Sequence, residues 1–569
     1  MTTSARALHP HGTAHLAVLM ATVAAATLVG CGGGGSGTPT PPPPPPPPST
    51  TLTLSLGGGR MGGVAHAWVT ITAVALNADA TKPYDPTDGT WLTITPATPV
   101  TVDLASSDAT SGALVDVLHA AGIAPGSYAQ MRLLLADPDG TLVSSASAAS
   151  LAWNDQVDYI DAGGRPRSVP LEIAGRAQGV ALQTPFTITA GGAAYLALEW
   201  DAASSLVRRA SPDDGVDRFT FRNDLRAYDR TRTGAVMGLV DTSSFCVGAP
   251  NPSCISDVTV EVQAVPPGGA TSVHARSAQV VDAGGGLGAF FLYPLPDVDS
   301  VDVVLRGRHM DTMVVHGVPV TPVGGLATVP TAVSSASSPL RPTPDAMEHT
   351  VALSAATSPT STQAAFFQTP GAGAAALELA TVNTDPATGL WTLAPTLPGG
   401  PLHAATFDTA HPNATLVFTT IAPTQGLGAF GVQLRGPSWA LPSALSPLAA
   451  NAGTWTAPAL STVPGLASCA LDVHVLANNA YDRGEVLVAN DSGIVAVRDV
   501  RSFLYLLGGT ASFTVPCGQG PADPLATLYT ATLRVWNTTS ISTTLRHVEA
   551  PGVADLRNGT TATLELPRP

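Results

Sequence analysis

At 569 residues the chain is too long for a single hydrophobic core, and at about 150 residues per domain it should fold as three or four units. A charged fraction of 12% beside 44% hydrophobic residues argues against a chain held open by self-repulsion. The formal net charge of -15, with no cluster of Lys and Arg, argues against a nucleic-acid partner, because displacing counterions needs clustered basic side chains. Lys82 is the single lysine and Arg supplies every other basic side chain, a bias that points, with heavy use of Ala, Gly and Pro, to a GC-rich genome.

The N-terminus carries Arg6 and then an apolar stretch from Leu16 to Val29, too short to span a bilayer but suited to an export signal. It ends in Leu28-Val29-Gly30-Cys31, which resembles the lipobox of bacterial lipoproteins. The resemblance implies a signal peptide over 1–30 and acylation of Cys31, palmitate included, as the new N-terminus. Two or more acyl chains, at about 0.8 kcal/mol per buried methylene, anchor stably where one does not. Gly32 stands where Asp would retain the protein at the inner membrane, so the expected address is the outer membrane, facing the periplasm or the surface. An ordinary signal peptide with an incidental cysteine is the alternative. Residues 31–51 are a linker: Gly32 to Gly37 is flexible, and Pro41 to Pro48 is a polyproline II spacer of roughly 25 Å. No later segment is long and apolar enough to cross a membrane as a helix.

From Thr51 onward, short alternating runs separated by Gly, Pro, Asn and Asp predict a mainly β chain of tandem antiparallel sandwiches. Val69, Ile71 and Ala73 alternate with Thr70, Thr72 and Val74, and Met131, Leu133 and Leu135 alternate with Gln130, Arg132 and Leu134, as in half-buried strands. The spacing of Leu114, Val117, Leu118 and Ala121, stopped by Gly122 and Pro125, predicts one short helix. Trp91-Leu92, Val102-Asp103-Leu104, the run from Ile123 to Leu133, and Leu196 to Asp201 resemble, in that order, the bacterial domain of unknown function 4382 over residues 52–230. Its members are typically lipoproteins, and the resemblance implies no activity. Glu199-Trp200-Asp201 departs from the Asp-Phe-Asp-like stretch usual there, which weakens a ligand role for those acids. Tyr128 and Trp200 read as core residues.

Residues 232–322 contain Val258, Val260 and Val262 with Thr259, Glu261 and Gln263 on the outer face, then Gly288 to Pro296 and Val301, Val303 and Leu305. This order resembles the carboxypeptidase regulatory-like, transthyretin-type β-sandwich, a spacer and display fold that implies no catalytic residue. Gly389 to Pro398 echoes it and predicts a second such module over 345–440. Residues 445–569, with Ala531, Leu533 and Val535 alternating with Thr532, Arg534 and Trp536, read as a C-terminal β domain.

Cys246 with Cys254 and Cys469 with Cys517 form two local pairs, expected as disulfides of an oxidising compartment; a four-ligand zinc site fits less well, since Cys-x-x-Cys spacing is absent. Asp213, Asp214 and Asp217, around Gly215, are the calcium candidates, without an EF-hand pattern; no other cofactor is expected. Asp137 to Gly140 reads as a tight turn, and the acids of Asp297 to Asp302 as the wet face of a strand. His309 and His316, near Asp311, lack an evident third metal ligand. Gly-x-Ser-x-Gly, His-Glu-x-x-His and Ser-x-x-Lys do not occur. The sequence therefore predicts no catalytic residue and a non-enzymatic, lipid-anchored envelope protein that presents its loops to a glycan or an envelope protein. A hydrolase whose carboxylates converge only in the fold stays open as the alternative.

Overall fold

In the segment expected to open the fold, small and β-branched residues alternate over long runs, and the structure, a computed structural model, turns them into paired strands. It describes residues 50–569, less 60–62, 106–113, 162, 183, 210–215, 247–254, 256–257, 266–270, 308–309, 321–329, 345–347, 351, 354–361, 371–374, 386–395, 399–400, 422–429, 437–440, 449–453, 456–459, 506–507, 520–524, 540–544 and 560. The chain is mainly β, arranged in many sheets as tandem sandwich modules would be. Residues 48–569 form one compact unit.

Strand Thr51–Gly59 lies between Ala193–Asp201, its parallel neighbour, and Val115–Ala121, antiparallel, in a four-stranded sheet closed by Arg226–Asp229. Its inward residues Leu52, Leu54 and Leu56 pack against Val69, Ile71, Val157 and Leu171 of a nine-stranded sheet built around Val64–Asn77. Trp200 and Tyr128 are both buried in this core, as their apolar rings require, and Trp200 meets Phe221 edge-on at 4.4 Å. The helix expected near Leu114 is instead the edge strand Val115–Ala121. Its pairing with Thr51–Gly59 slips between Leu54 and Ser55, and that bulge turns the adjacent Val117 and Leu118 both inward. A bulged strand thus imitated helical spacing.

In the next segment, Val236–Asp241 and Leu287–Leu292 face a six-stranded sheet containing Thr259–Ala264, Ser300–Arg306 and Thr312–Pro319. Val258, Val260, Val262, Val303 and Leu305 fill the space between. The last two strands of that sheet, Leu402–Thr406 and Thr419–Ile421, come from the following segment, and Leu402–Thr406 runs parallel to Thr312–Pro319. The rest of that segment supplies a four-stranded sheet centred on Gln363–Gln368 and Phe430–Arg435. A three-stranded and a five-stranded sheet then enclose the core of the C-terminal region, from Leu471 to Leu566.

The outer faces differ from expectation. Glu261, Gln263, Arg132, Thr532 and Arg534 are all buried, although alternation assigns them to solvent. At Gln263, Arg132 and Arg534 another segment covers the strand. Gln263, for example, donates to the carbonyl of Glu378 and accepts the Glu378 N–H at 2.9 Å. Among the described residues no helix is long and apolar enough to cross a membrane.

Candidate functional site

The residues singled out by sequence do not converge. Cys31, Cys254, Asp213, Asp214 and His309 lie outside the described residues. Cys246 is disulfide-bonded. Cys469 and Cys517 are joined, with Cα atoms 5.7 Å apart, on the antiparallel strands Ala467–Val475 and Gly509–Cys517. The Asp217 carboxylate accepts from Arg208 Nε at 2.6 Å, so it is engaged by a guanidinium, while its backbone N–H donates to the Tyr159 hydroxyl. His316 pairs with Asp302, and Asp311 with His403. Asp137 to Gly140 forms the expected turn, Gly140 N–H donating to the Asp137 carbonyl. Glu348 and His349 sit in strand Glu348–Thr350. Among the described residues no group of three or more His, Cys, Asp or Glu is arranged to hold a metal.

What the fold brings together instead is a set of charges at the junction of three segments. Strand Pro166–Glu172 ends in Glu172, 1% exposed, and Leu528–Trp536 carries Arg534, 2% exposed; the Arg534 guanidinium bonds Glu172 and, at 2.7 Å, Glu485. Glu485 also meets Arg209 at 3.5 Å, and Arg209 Nε donates to Asp385 at 2.8 Å. Two guanidinium groups and three carboxylates are thereby chained from residues 172 and 209 through 485 and 534 to 385. The Arg534 guanidinium also lies 4.6 Å from the Trp536 ring centroid, which favours the cation by its quadrupole.

Burial pushes the Glu485 carboxyl up from its usual range, opposed by the Arg209 charge. The Arg534 guanidinium is drawn down by burial to about 9, which still leaves it cationic at neutral pH. Nearby, Arg132 makes a two-pronged contact with Asp491, at 3.2 and 3.0 Å, and Gly493 brings its backbone against Arg222. A Cβ at Gly493 would lie 2.6 Å from the Phe221 carbonyl oxygen, and its φ of +104° is one L side chains rarely adopt. The cavity beside them measures about 30 Å³, enough for water and far below the 300 Å³ or so of a substrate pocket.

A second contact joins the same segments. His547 gives Asp139 its backbone N–H at 2.6 Å and sets its Nδ1 at 2.9 Å from the same carboxylate. Burial raises the Asp139 carboxyl, but hydrogen bonds and charge from His547, with Arg176, outweigh it and hold it below the ordinary range. The only sequence signals of these contacts were Arg132 and Arg534, long cations placed inside strongly apolar strands.

Residues 49–221 match the family described as Domain of unknown function (DUF4382). No curated protein matches the chain. Among solved structures it is similar to the major pilin SpaA of Corynebacterium diphtheriae, at 13% identity over 72% of this chain and 98% of the pilin. The TM-score is 0.11.

Proposed function

We propose that the chain is a lipid-anchored envelope protein of the bacterial outer membrane with a non-catalytic role, a stiff β body held off the bilayer and offering its surface to a glycan or an envelope protein. The observation that supports the non-catalytic part is where the buried charges go. Glu172 is met by Arg534, and Glu485 and Asp385 by Arg209, each from another segment, so their carboxylates fix segments to one another. A general acid or base instead needs a carboxylate facing a substrate-sized space.

The anchoring part rests on Leu28-Val29-Gly30-Cys31 and on the Gly and Pro tract after it. Within that reading, residues 232–322 and 345–440 act as spacer and display modules of the carboxypeptidase regulatory-like type, and the cysteine pairs suit an oxidising compartment.

Intact mass and membrane fractionation of the native chain beside Cys31→Ala, both made in a Gram-negative host, test the anchor. Native protein should carry the acyl mass and sediment with outer membranes, and the variant should do neither. Equal, unacylated behaviour of the two would overturn the anchoring.

A further inference from the structure

Away from the junction, one outer face of the large first sheet carries side chains that neither the core nor the junction uses. Strand Val64–Asn77 presents His66 and Trp68 there, two residues apart. Gln156–Ile160 sets Asp158 opposite His66 and Gln156 opposite Trp68, and Val100–Asp103 sets Asp103 opposite Trp68 from the other side. His66, Trp68, Gln156 and Asp158 floor an open depression of about 460 Å³ rimmed by Ser150, Arg167 and Ser168.

The floor is fixed in advance. Trp68 Nε1 donates to Asp158 Oδ2 at 3.3 Å, and Gln156 Nε2 donates to Asp158 Oδ1 at 2.7 Å. His66, its side chain 51% exposed, lies 2.7 Å by Nδ1 from Asp103, and its ring is 27° from the plane of the Trp68 ring with centroids 5.5 Å apart. At the rim, Ser150 holds a φ of +61° just after the short helix Ser144–Ala148. Glycine is the usual residue in that conformation at a helix end, so the chain keeps a hydroxyl there against backbone strain.

We propose that this face binds a neutral oligosaccharide. Trp68, half-buried and held with the His66 ring stacked beside it, offers an aromatic surface to the C–H face of a sugar ring, and ordering costs on binding fall because the indole is already immobile. Asp158 spends one lone pair per oxygen on Trp68 and Gln156 and retains others for sugar hydroxyls. Arg167, whose Nε donates to Asp161 at 3.1 Å, adds terminal guanidinium donors, and Ser150 and Ser168 add groups that donate and accept, as sugar hydroxyls do. Asp158 and Asp161 together offset Arg165 and Arg167, and the chain carries -15 overall, so an anionic polymer is disfavoured. The inference rests on the non-catalytic envelope reading and names the class of its ligand.

The test is isothermal titration of the purified full chain in detergent with chitohexaose, cellohexaose and maltohexaose, followed by mass spectrometry of the recovered sugar. At least one probe should bind and return intact. Preference for chitohexaose would mark an N-acetylated envelope glycan as the source, and preference for the glucans an external one. Trp68→Ala should weaken binding roughly tenfold at an unchanged thermal midpoint, the scale of one lost aromatic contact. If that variant does not fold, Trp68→Phe and Arg167→Gln must each weaken binding.

No binding by the native chain at millimolar sugar, native affinity in folded Trp68→Ala, or native affinity in either milder variant would overturn the site while leaving the anchor reading untouched. Cleavage of a probe would instead overturn the non-catalytic reading, and the proposal with it.

Discussion

Replacing Arg534 with Met removes the guanidinium that Glu172 and Glu485 share while leaving a chain of similar length to fill the space. Glu172 is 1% exposed, and its next cation, Arg209, is 4.0 Å away and already engaged by Asp385 and Glu485. Breaking a buried pair from one side costs about 3–5 kcal/mol, because the surviving charge stays buried. The double variant Glu172→Leu/Arg534→Met removes both charges and should return to within about 1 kcal/mol of native, since apolar replacements of buried pairs are often neutral. Guanidinium denaturation of the native chain, both singles and the double gives the cycle, with an expected coupling of at least about 2 kcal/mol. Additive effects, or a single-variant loss below about 1 kcal/mol, would show that the pair does not hold the segments.

Asp155 is fully buried, with Oδ1 accepting from Thr70 N–H at 2.8 Å and Oδ2 unpartnered, and burial raises it to about 7. A raised acid costs nothing below its unfolded value near 4 and progressively more as pH climbs to about 7, reaching about 4 kcal/mol. Native stability should therefore lose this contribution between about pH 4 and pH 7 and level off above, while Asp155→Asn lacks that fall; parallel slopes in denaturation midpoints would refute the assignment. The Cys469–Cys517 bond spans a sequence separation of 48, for which loop-closure entropy gives about 4 kcal/mol, so Cys469→Ser/Cys517→Ser should lose about that much stability in non-reducing denaturant titrations.

Alternation told which strand residues share a face but not what covers the other face. Val258, Val260 and Val262 went inward as the period-two pattern required, and so did Met131 and Leu133. Glu261 and Gln263 carried the ordinary marks of a wet face, yet Arg306 and the Glu378 backbone meet them there. That information resides in residues more than forty positions away and has no local pattern. Val117 and Leu118 failed for a different reason: a bulge changes the period of burial, and a run of seven residues is too short to separate that from a helical repeat. At the junction, Arg534 was visible only as a cation in a strand otherwise fit for a core. Trp68 had no mark in sequence to separate it from the buried Trp200, because both follow strand alternation and only the neighbouring strands decide which stays exposed.

The charges at the junction, set beside the apolar contacts that also join the segments, have a consequence during folding. Before docking, Glu172, Arg209 and Glu485 are solvated, so the faces that bear them are less apolar than a core face and offer less to a wrong neighbour. After docking, the two-pronged Arg132–Asp491 contact and the Arg534 chain accept only one register, because a guanidinium fork misplaced by one residue leaves a buried carboxylate unmatched. The double variant Glu172→Leu/Arg534→Met separates these effects from stability. It should match the native chain at equilibrium yet scatter more light and return less monomer on dilution from guanidinium at micromolar concentration. Equal refolding yields from the two would mean that the charges serve the docked state alone.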